Sequence, residues 1–181
     1  EVISNVTSLT SQKAIEKGIQ FLVQLPERFP HQFIGDPLRI GQVLTNLVNN
    51  AIKFTHRGQI DLQCTVSEIS EQDDANRTSE QRGDSRLKRL HFTVKDTGIG
   101  MTTEQQARLF QAFTQADGST TRNYGGSGLG LSISKQLIEL MGGKITLRSL
   151  PGQGSSFDVF LELPINEDKL SNPWEQDFIR V

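Results

Sequence analysis

Asp36-Pro37-Leu38-Arg39-Ile40-Gly41-Gln42-Val43-Leu44-Thr45-Asn46-Leu47-Val48-Asn49-Asn50-Ala51-Ile52-Lys53-Phe54-Thr55 is the stretch that decides the fold. Aspartate ahead of proline is a strong helix start. The carboxylate caps free N–H groups, and proline at the first helical position loses no hydrogen bond. The spacing predicts a helix to about Phe54 that stops near Gly58. On a wheel of 3.6 residues per turn, Ile40, Val43, Leu44, Leu47, Val48 and Ala51 share one broad arc, which must face a core. Arg39, Gln42, Asn46, Asn50 and Lys53 fall within a narrow arc beside it. A solvated polar face is the usual explanation of such a stripe. Asparagine, however, costs about 0.5 kcal/mol against alanine in a helix, and a merely wet face is better served by Glu, Lys or Gln. Asn side chains are neutral oxygen ligands that Mg²⁺ accepts while it keeps most of its water and takes further oxygens from phosphates. Lys53, one turn beyond Asn50, is placed to meet phosphate charge. On these residues alone, a wet face and a Mg²⁺–phosphate site stand level.

Downstream, Ile60, Leu62, Cys64 and Val66 alternate with polar residues, as do Leu90, Phe92 and Val94, and both runs read as half-buried strands. Residues 68–89 hold few apolar side chains between these strands. They cannot bury enough surface to offset their ordering entropy, so a disordered insertion is expected there. Asp96 shares the parity of Leu90, Phe92 and Val94, and a carboxylate turned toward a buried side needs a partner. Asp96-Thr97-Gly98-Ile99-Gly100 follows at once. A bare Asp-x-Gly is usually an Asx turn closing a strand. The functional alternative is that Asp96 accepts a hydrogen bond from the adenine amino group, with the glycines letting the backbone approach the base. Guanine, with a carbonyl at that ring position, would be rejected.

Gly125-Gly126-Ser127-Gly128-Leu129-Gly130-Leu131 leads into a helix marked by Leu129, Ile133, Leu137 and Met141 and ended by Gly142-Gly143. Free N–H groups and the dipole at such a helix start form an anion site. No Gly-Lys-Ser/Thr follows and the GxGxxG spacing is absent, so this is neither a P-loop nor a dinucleotide fingerprint. Arg122 just upstream is either a partner for a terminal phosphate or a solvated loop arginine. Elsewhere the pattern predicts a short helix over 8–17, a strand over 19–23, a helix over about 103–111 and two strands, 144–149 and 156–163, joined by Pro151-Gly152-Gln153-Gly154. Past Pro164 there is no clear periodicity.

The bulk properties agree with one soluble domain. The chain has 181 residues, 35% hydrophobic and 22% charged, which is enough to build a core. A net charge of −2 gives no overall reason to bind nucleic acid or an acidic membrane. Cys64 is the single cysteine, which excludes an internal disulfide and suits a reducing compartment. There is no membrane-length apolar run and no signal-peptide pattern. Glu1-Val2-Ile3-Ser4 opens without an initiator methionine, so the chain reads as a piece of a longer parent.

In this order the elements resemble the four boxes of sensor histidine kinases, within the superfamily that includes gyrase, Hsp90 and MutL ATPases. The N box is similar to Asp36–Arg39 through Gln42–Thr55, the G1 box to Asp96–Met101, the F box to Leu109-Phe110-Gln111-Ala112-Phe113, and the G2 box to Gly126–Leu131 after Thr121–Gly125. The resemblance covers about residues 10–164. It implies an α/β two-layer sandwich, a mixed sheet packed on about three helices (the Bergerat-type ATP-binding fold), with a mobile ATP lid over 114–127. It implies ATP and Mg²⁺ as ligands, with Asn50 the main Mg²⁺ ligand and Asn46 nearby, and Lys53 and Arg122 on phosphates. Tyr124 would stand in the lid, Phe54 would line the pocket, and Asp96 would hold adenine. Gly98, Ile99, Gly100 and Met101, with Gly126, Ser127, Gly128, Leu129, Gly130 and Leu131, would complete the nucleotide site. Ser127 stands where Thr is commoner in the family and keeps the hydroxyl.

The same resemblance separates kinase from hydrolase. In the ATPase branch a glutamate that activates water occupies the position of Asn46, and an amide cannot take that proton. The γ-phosphoryl is then kept for a histidine on a separate dimerisation domain of the parent. His31, His56 and His91 lack the acidic neighbour and trailing proline of such a phosphoacceptor. Gly35–Arg39 with Phe113-Thr114-Gln115-Ala116-Asp117 looks most like hybrid kinases, and residues 165–181 would then be a tail or linker toward a receiver domain. A response regulator or receiver would act downstream. The isolated domain is expected to be monomeric and cytoplasmic, in a parent that is anchored in the inner membrane or free. A nucleotide-binding switch that transfers nothing is the competing reading.

Overall fold

The computed structural model describes residues 1–26, 32–69, 87–112 and 129–166. Within these, α1 covers Val2–Glu16, β1 Gln20–Gln24, β2 Gln32–Phe33, α2 Pro37–Phe54, β3 Gln59–Ser67 and β4 Leu87–Asp96. Then come α3 (Thr103–Ala112), α4 (Leu129–Leu140), β5 (Lys144–Leu150) and β6 (Gly154–Asn166).

The strands form one mixed sheet in the order β1-β3-β4-β6-β2, with β5 also paired to β6. Only β1 and β3 run parallel; every other pair is antiparallel. Register sets Leu62 opposite Val94, and Val94 opposite Phe157, so one sheet face is a continuous apolar floor. Ile60, Leu62, Cys64, Leu90, Phe92, Val94, Val159 and Leu161 are buried on it. Burial pushes the Cys64 thiol up to about 12, so it is packing material and not a nucleophile.

α2 packs on this floor with α1 and α4 on its two sides, and all three helices touch the sheet. Asp36 accepts a hydrogen bond from the Arg39 N–H at 3.0 Å, and Pro37 opens the helix, as the sequence predicts. The six residues of the apolar arc are all buried, joined by Ile52. Leu44, Leu47 and Val48 are fully buried, each contributing about 1.5–3 kcal/mol of apolar burial. The α/β sandwich with a mixed sheet is therefore as expected, with four helices instead of three among the described residues.

Several boundaries differ from the sequence reading. The first helix begins at Val2, not near Ser8, because Ile3, Val6, Thr10 and Ala14 form its buried stripe. Two of those four are small or polar, which masks the period. Leu87, Lys88 and Arg89, expected in the insertion, belong to β4. Their charges are met by ion pairs, Lys88 to Glu68 at 2.6 Å and Arg89 to Glu162 at 2.7 Å. Residues 70–86 lie outside the described residues. β6 continues past Pro164 to Asn166 because β2 pairs with Ile165 and Asn166, so the first two residues of the expected tail are strand. The remainder of the tail, and the lid over 114–127, fall outside the described residues.

Candidate nucleotide site

Asp96 ends β4 on the buried side, 5% exposed, in one row with Ile60 and Ser155. Its Oδ1 accepts the Gly98 N–H at 2.8 Å and the Ser155 N–H at 3.3 Å. The Asx turn foreseen as the plain alternative is thus present, and it occupies only one oxygen. No described residue donates to Oδ2. Burial pushes the Asp96 carboxyl above its ordinary 3.8, opposed by those two backbone donors.

The turn after Asp96 is pinned from three directions. The Ile99 N–H donates to the Phe54 carbonyl at 3.2 Å, and the Ile99 carbonyl accepts from Gly152 at 2.7 Å. The Met101 N–H donates to Ser149 Oγ at 2.8 Å. Gly100 has φ +64° and presses on the Leu150 carbonyl, while Gly98 presses on the Phe54 carbonyl, so neither position has room for a Cβ. These contacts weld the turn to the end of α2 and to the β5–β6 hairpin.

On α2, the Asn46 amide donates to Ser134 Oγ of α4 at 3.0 Å. A Cβ at Gly130 would come within 2.5 Å of Asn46 Oδ1, so glycine at the first turn of α4 lets that helix start lie directly on the asparagine. Asn50 is half-buried and its side chain makes no hydrogen bond with a described residue. Lys53 holds its ammonium 5.1 Å from the Phe54 ring centroid. Leu131 packs against the core, as does Met101, whereas Ile99 is 51% exposed. Asn46, Asn50, Lys53 and Phe54 thus line one helix, with Asp96–Met101 at its C-terminal end and Gly130 on its flank. Arg122, Tyr124, Gly126, Ser127 and Gly128 lie outside the described residues, as does the Leu129 side chain.

The site thus sets a carboxylate, one of whose oxygens takes no hydrogen bond from a described residue, beside a glycine turn, and a neutral amide, Asn50, that has no partner among the described residues. Thr55 Oγ1, next to Phe54, is the one fully buried side-chain polar atom without a partner among the described residues. A cavity of about 550 Å³ lies between α1, α2 and α4; it reaches Asn46, Asn49 and Gly130 but includes neither Asn50, Lys53 nor Asp96. The described residues hold no group of three or more metal-ligating His, Cys, Asp or Glu side chains.

Sequence reasoning did not find Ser134, Thr55, Lys13 or Lys17. Lys13 donates to Asn49 Oδ1 at 3.0 Å, and Lys17 Nζ reaches the Ile52 carbonyl at 2.7 Å. Serine at one helical turn from Gly130 is the only local signal; the lysine contacts span 35 residues or more and leave none. Of the histidines set aside, His91 stacks on Phe160 on the other sheet face and bonds Asp158 at 2.9 Å.

The same fold recurs in known proteins. The chain is 39% identical over 165 residues to the signal transduction histidine-protein kinase BarA of Escherichia coli K12, covering 91% of this chain and 16% of that protein. The full-length ShkA structure, solved in complex with AMPPNP, superposes with a TM-score of 0.68 at 31% identity, covering 91% of this chain and 30% of that one. The catalytic domain of the histidine kinase ThkA superposes with a TM-score of 0.61 at 25% identity, covering 89% of this chain and 91% of that one. The chain thus spans about a sixth of the length of BarA, and it covers nearly all of the ThkA catalytic domain. Residues 35–165 match the family of histidine kinase-, DNA gyrase B- and HSP90-like ATPases, and with the sheet, the helix α2 and the Asp96 turn in place, the chain belongs to that family.

Proposed function

We propose that this domain binds Mg²⁺-ATP and transfers its γ-phosphoryl group to a histidine on a separate dimerisation domain of a parent sensor kinase. The observation that carries the reading is Asn46. By the family resemblance it stands where a hydrolase has its base, and its amide donates to Ser134 Oγ of α4. An amide takes no proton from water, so the terminal phosphate is spared for another nucleophile, and catalysis reduces to positioning and charge stabilisation.

In this reading Asp96 Oδ2 accepts from the adenine amino group, and the Gly98–Met101 turn backs the base with Phe54 beside it. Asn50, seconded by Asn46, holds Mg²⁺, which neutralises phosphate charge when bound. Lys53 and Arg122 contact phosphates, Tyr124 stands in a lid over 114–127, and Gly126–Leu131 offers the N–H groups at the start of α4. Residues 1–166 form the catalytic unit, and 167–181 lead on, in a hybrid kinase, toward a receiver. A response regulator or receiver takes the phosphoryl group next. The unit works in the cytoplasm as a monomer until the dimerisation domain delivers its histidine.

Mixing the chain with [γ-³²P]ATP and its cognate histidine domain tests this. Acid-labile label on that domain is expected. Nucleotide binding without label would leave a binding switch, and steady phosphate release by the chain alone would indicate a hydrolase.

A further inference from the structure

We infer that Lys17, at the end of α1, is a positioning residue that sets the phosphate-binding end of α2. The inference rests on the nucleotide-site reading above.

A helix leaves its last four carbonyls without internal partners. At the end of α2, where the C-cap Thr55 N–H closes the last ladder bond to Ala51, these belong to Ile52, Lys53, Phe54 and Thr55, and each is met from outside the helix. Phe54 accepts from the Ile99 N–H at 3.2 Å. The Ile52 and Lys53 carbonyls are both met by one group, the Lys17 ammonium, at 2.7 and 3.2 Å, and the same nitrogen reaches the Thr55 carbonyl at 3.4 Å. Three donors on one ammonium meet three carbonyls, at the negative end of the helix dipole.

Lys17 is itself firmly mounted. Gly18 follows it with φ +66°, its N–H donates to Ile15, and the Ile19 N–H donates to Ala14, which is the Schellman closure of a helix. One turn earlier, Lys13 holds Asn49. The two lysines thus grip α2 on either side of Asn50, and Lys53 stands on the turn whose carbonyls Lys17 ties down. Asp96 is fixed separately, by Gly98 and Ser155. Loosening Lys17 therefore acts first on the Mg²⁺–phosphate end of the site, while the base end, tied to Phe54 but also to Gly152 and Ser149, keeps those other anchors.

The test is calorimetric titration of the full chain and its Lys17→Met and Lys17→Arg variants with Mg²⁺-ATP and with adenosine, with kinetics of transfer to the cognate histidine domain. Lys17→Met should weaken Mg²⁺-ATP about tenfold, raise the Mg²⁺ concentration needed for half-maximal transfer, and leave adenosine affinity unchanged. Lys17→Arg, which keeps charge and donors, should restore Mg²⁺-ATP binding to within about twofold. Equal losses for adenosine and Mg²⁺-ATP would mean a general effect on folding and would overturn the assignment, as would unchanged Mg²⁺-ATP binding in Lys17→Met. Arg89→Met, which loses an ion pair on the other sheet face, controls for stability alone. If the unaltered chain binds no ATP, the site reading fails first, and the role of Lys17 falls with it.

Discussion

Replacing Asp96 by Asn separates recognition from stability at a single atom. In the native chain Oδ1 accepts two backbone N–H groups, from Gly98 at 2.8 Å and Ser155 at 3.3 Å. In Asp96→Asn only the amide oxygen can take that place, because an NH₂ would face two donors. The NH₂ must then point where Oδ2 pointed, donor against the donating amino group of adenine. The loss is that of a charge-assisted hydrogen bond, roughly 1.5–3 kcal/mol, or about 10- to 150-fold in Kd. Stability moves the other way. Burial raises the Asp96 carboxyl above 3.8, so its favourable contribution is complete below 3.8 and is lost as pH rises through the raised value. At neutral pH the ionised group is held at a cost that the neutral amide removes, and Tm should be equal or higher. Calorimetric titration with ATP and with inosine triphosphate, alongside a thermal melt, reads all of this. The unaltered chain should prefer ATP, and the variant should lose or reverse that preference. An Asp96→Asn chain that binds ATP as the native chain does, or keeps the native ratio of the two nucleotides, would refute the reasoning.

Three further outcomes follow from the same structure. Asn46→Glu places a base where the amide now contacts Ser134, and phosphate release by the isolated chain, followed colorimetrically, should rise by about tenfold or more while transfer to histidine falls. Gly100→Ala forces a Cβ at φ +64° onto the Leu150 carbonyl, so a loss of roughly 2 kcal/mol and a Tm fall of about 4–8 °C are expected by calorimetry. At Asp158, burial pushes the carboxyl up, but hydrogen bonds from His91, Thr93 and Arg148 and the Arg148 charge outweigh it and hold the group below 3.8. Its stabilisation is therefore full above 3.8 and lost as pH falls through the lowered value. Melts across that window should show a shallower acid decline in Asp158→Asn than in the native chain.

What was legible in the sequence was whatever one element expresses alone. The α2 stripe, its Asp36-Pro37 start and the parity that puts Asp96 on the buried side are periodicities within a single helix or strand, and the structure reproduces them. The extent of α1 was hidden because Thr10 and Ala14 fill its buried stripe with a hydroxyl and a methyl in place of larger apolar groups. The start of β4 was hidden because Lys88 and Arg89 look like solvated residues until Glu68 and Glu162 are brought beside them. The two residues of β2 exist only through pairing with β6. In the site, glycines and asparagines were visible as unusual choices, whereas Ser134 and the lysines of α1 gain meaning only when helices distant in sequence meet.

The way Asp96 is held bears on how such a domain can change over time. Both groups that orient its carboxylate are main-chain amides, and the turn behind it is tied to Phe54 and Gly152 through peptide groups. The side chain at 99 can therefore drift without turning the acceptor, provided the glycines keep the chain on its path, whereas Thr97 Oγ1 accepts the Gln59 N–H at 3.0 Å. If Asp96 reads adenine, the choice of base is stored in the course of the backbone, and sequences that differ widely around this turn would still select the same nucleotide.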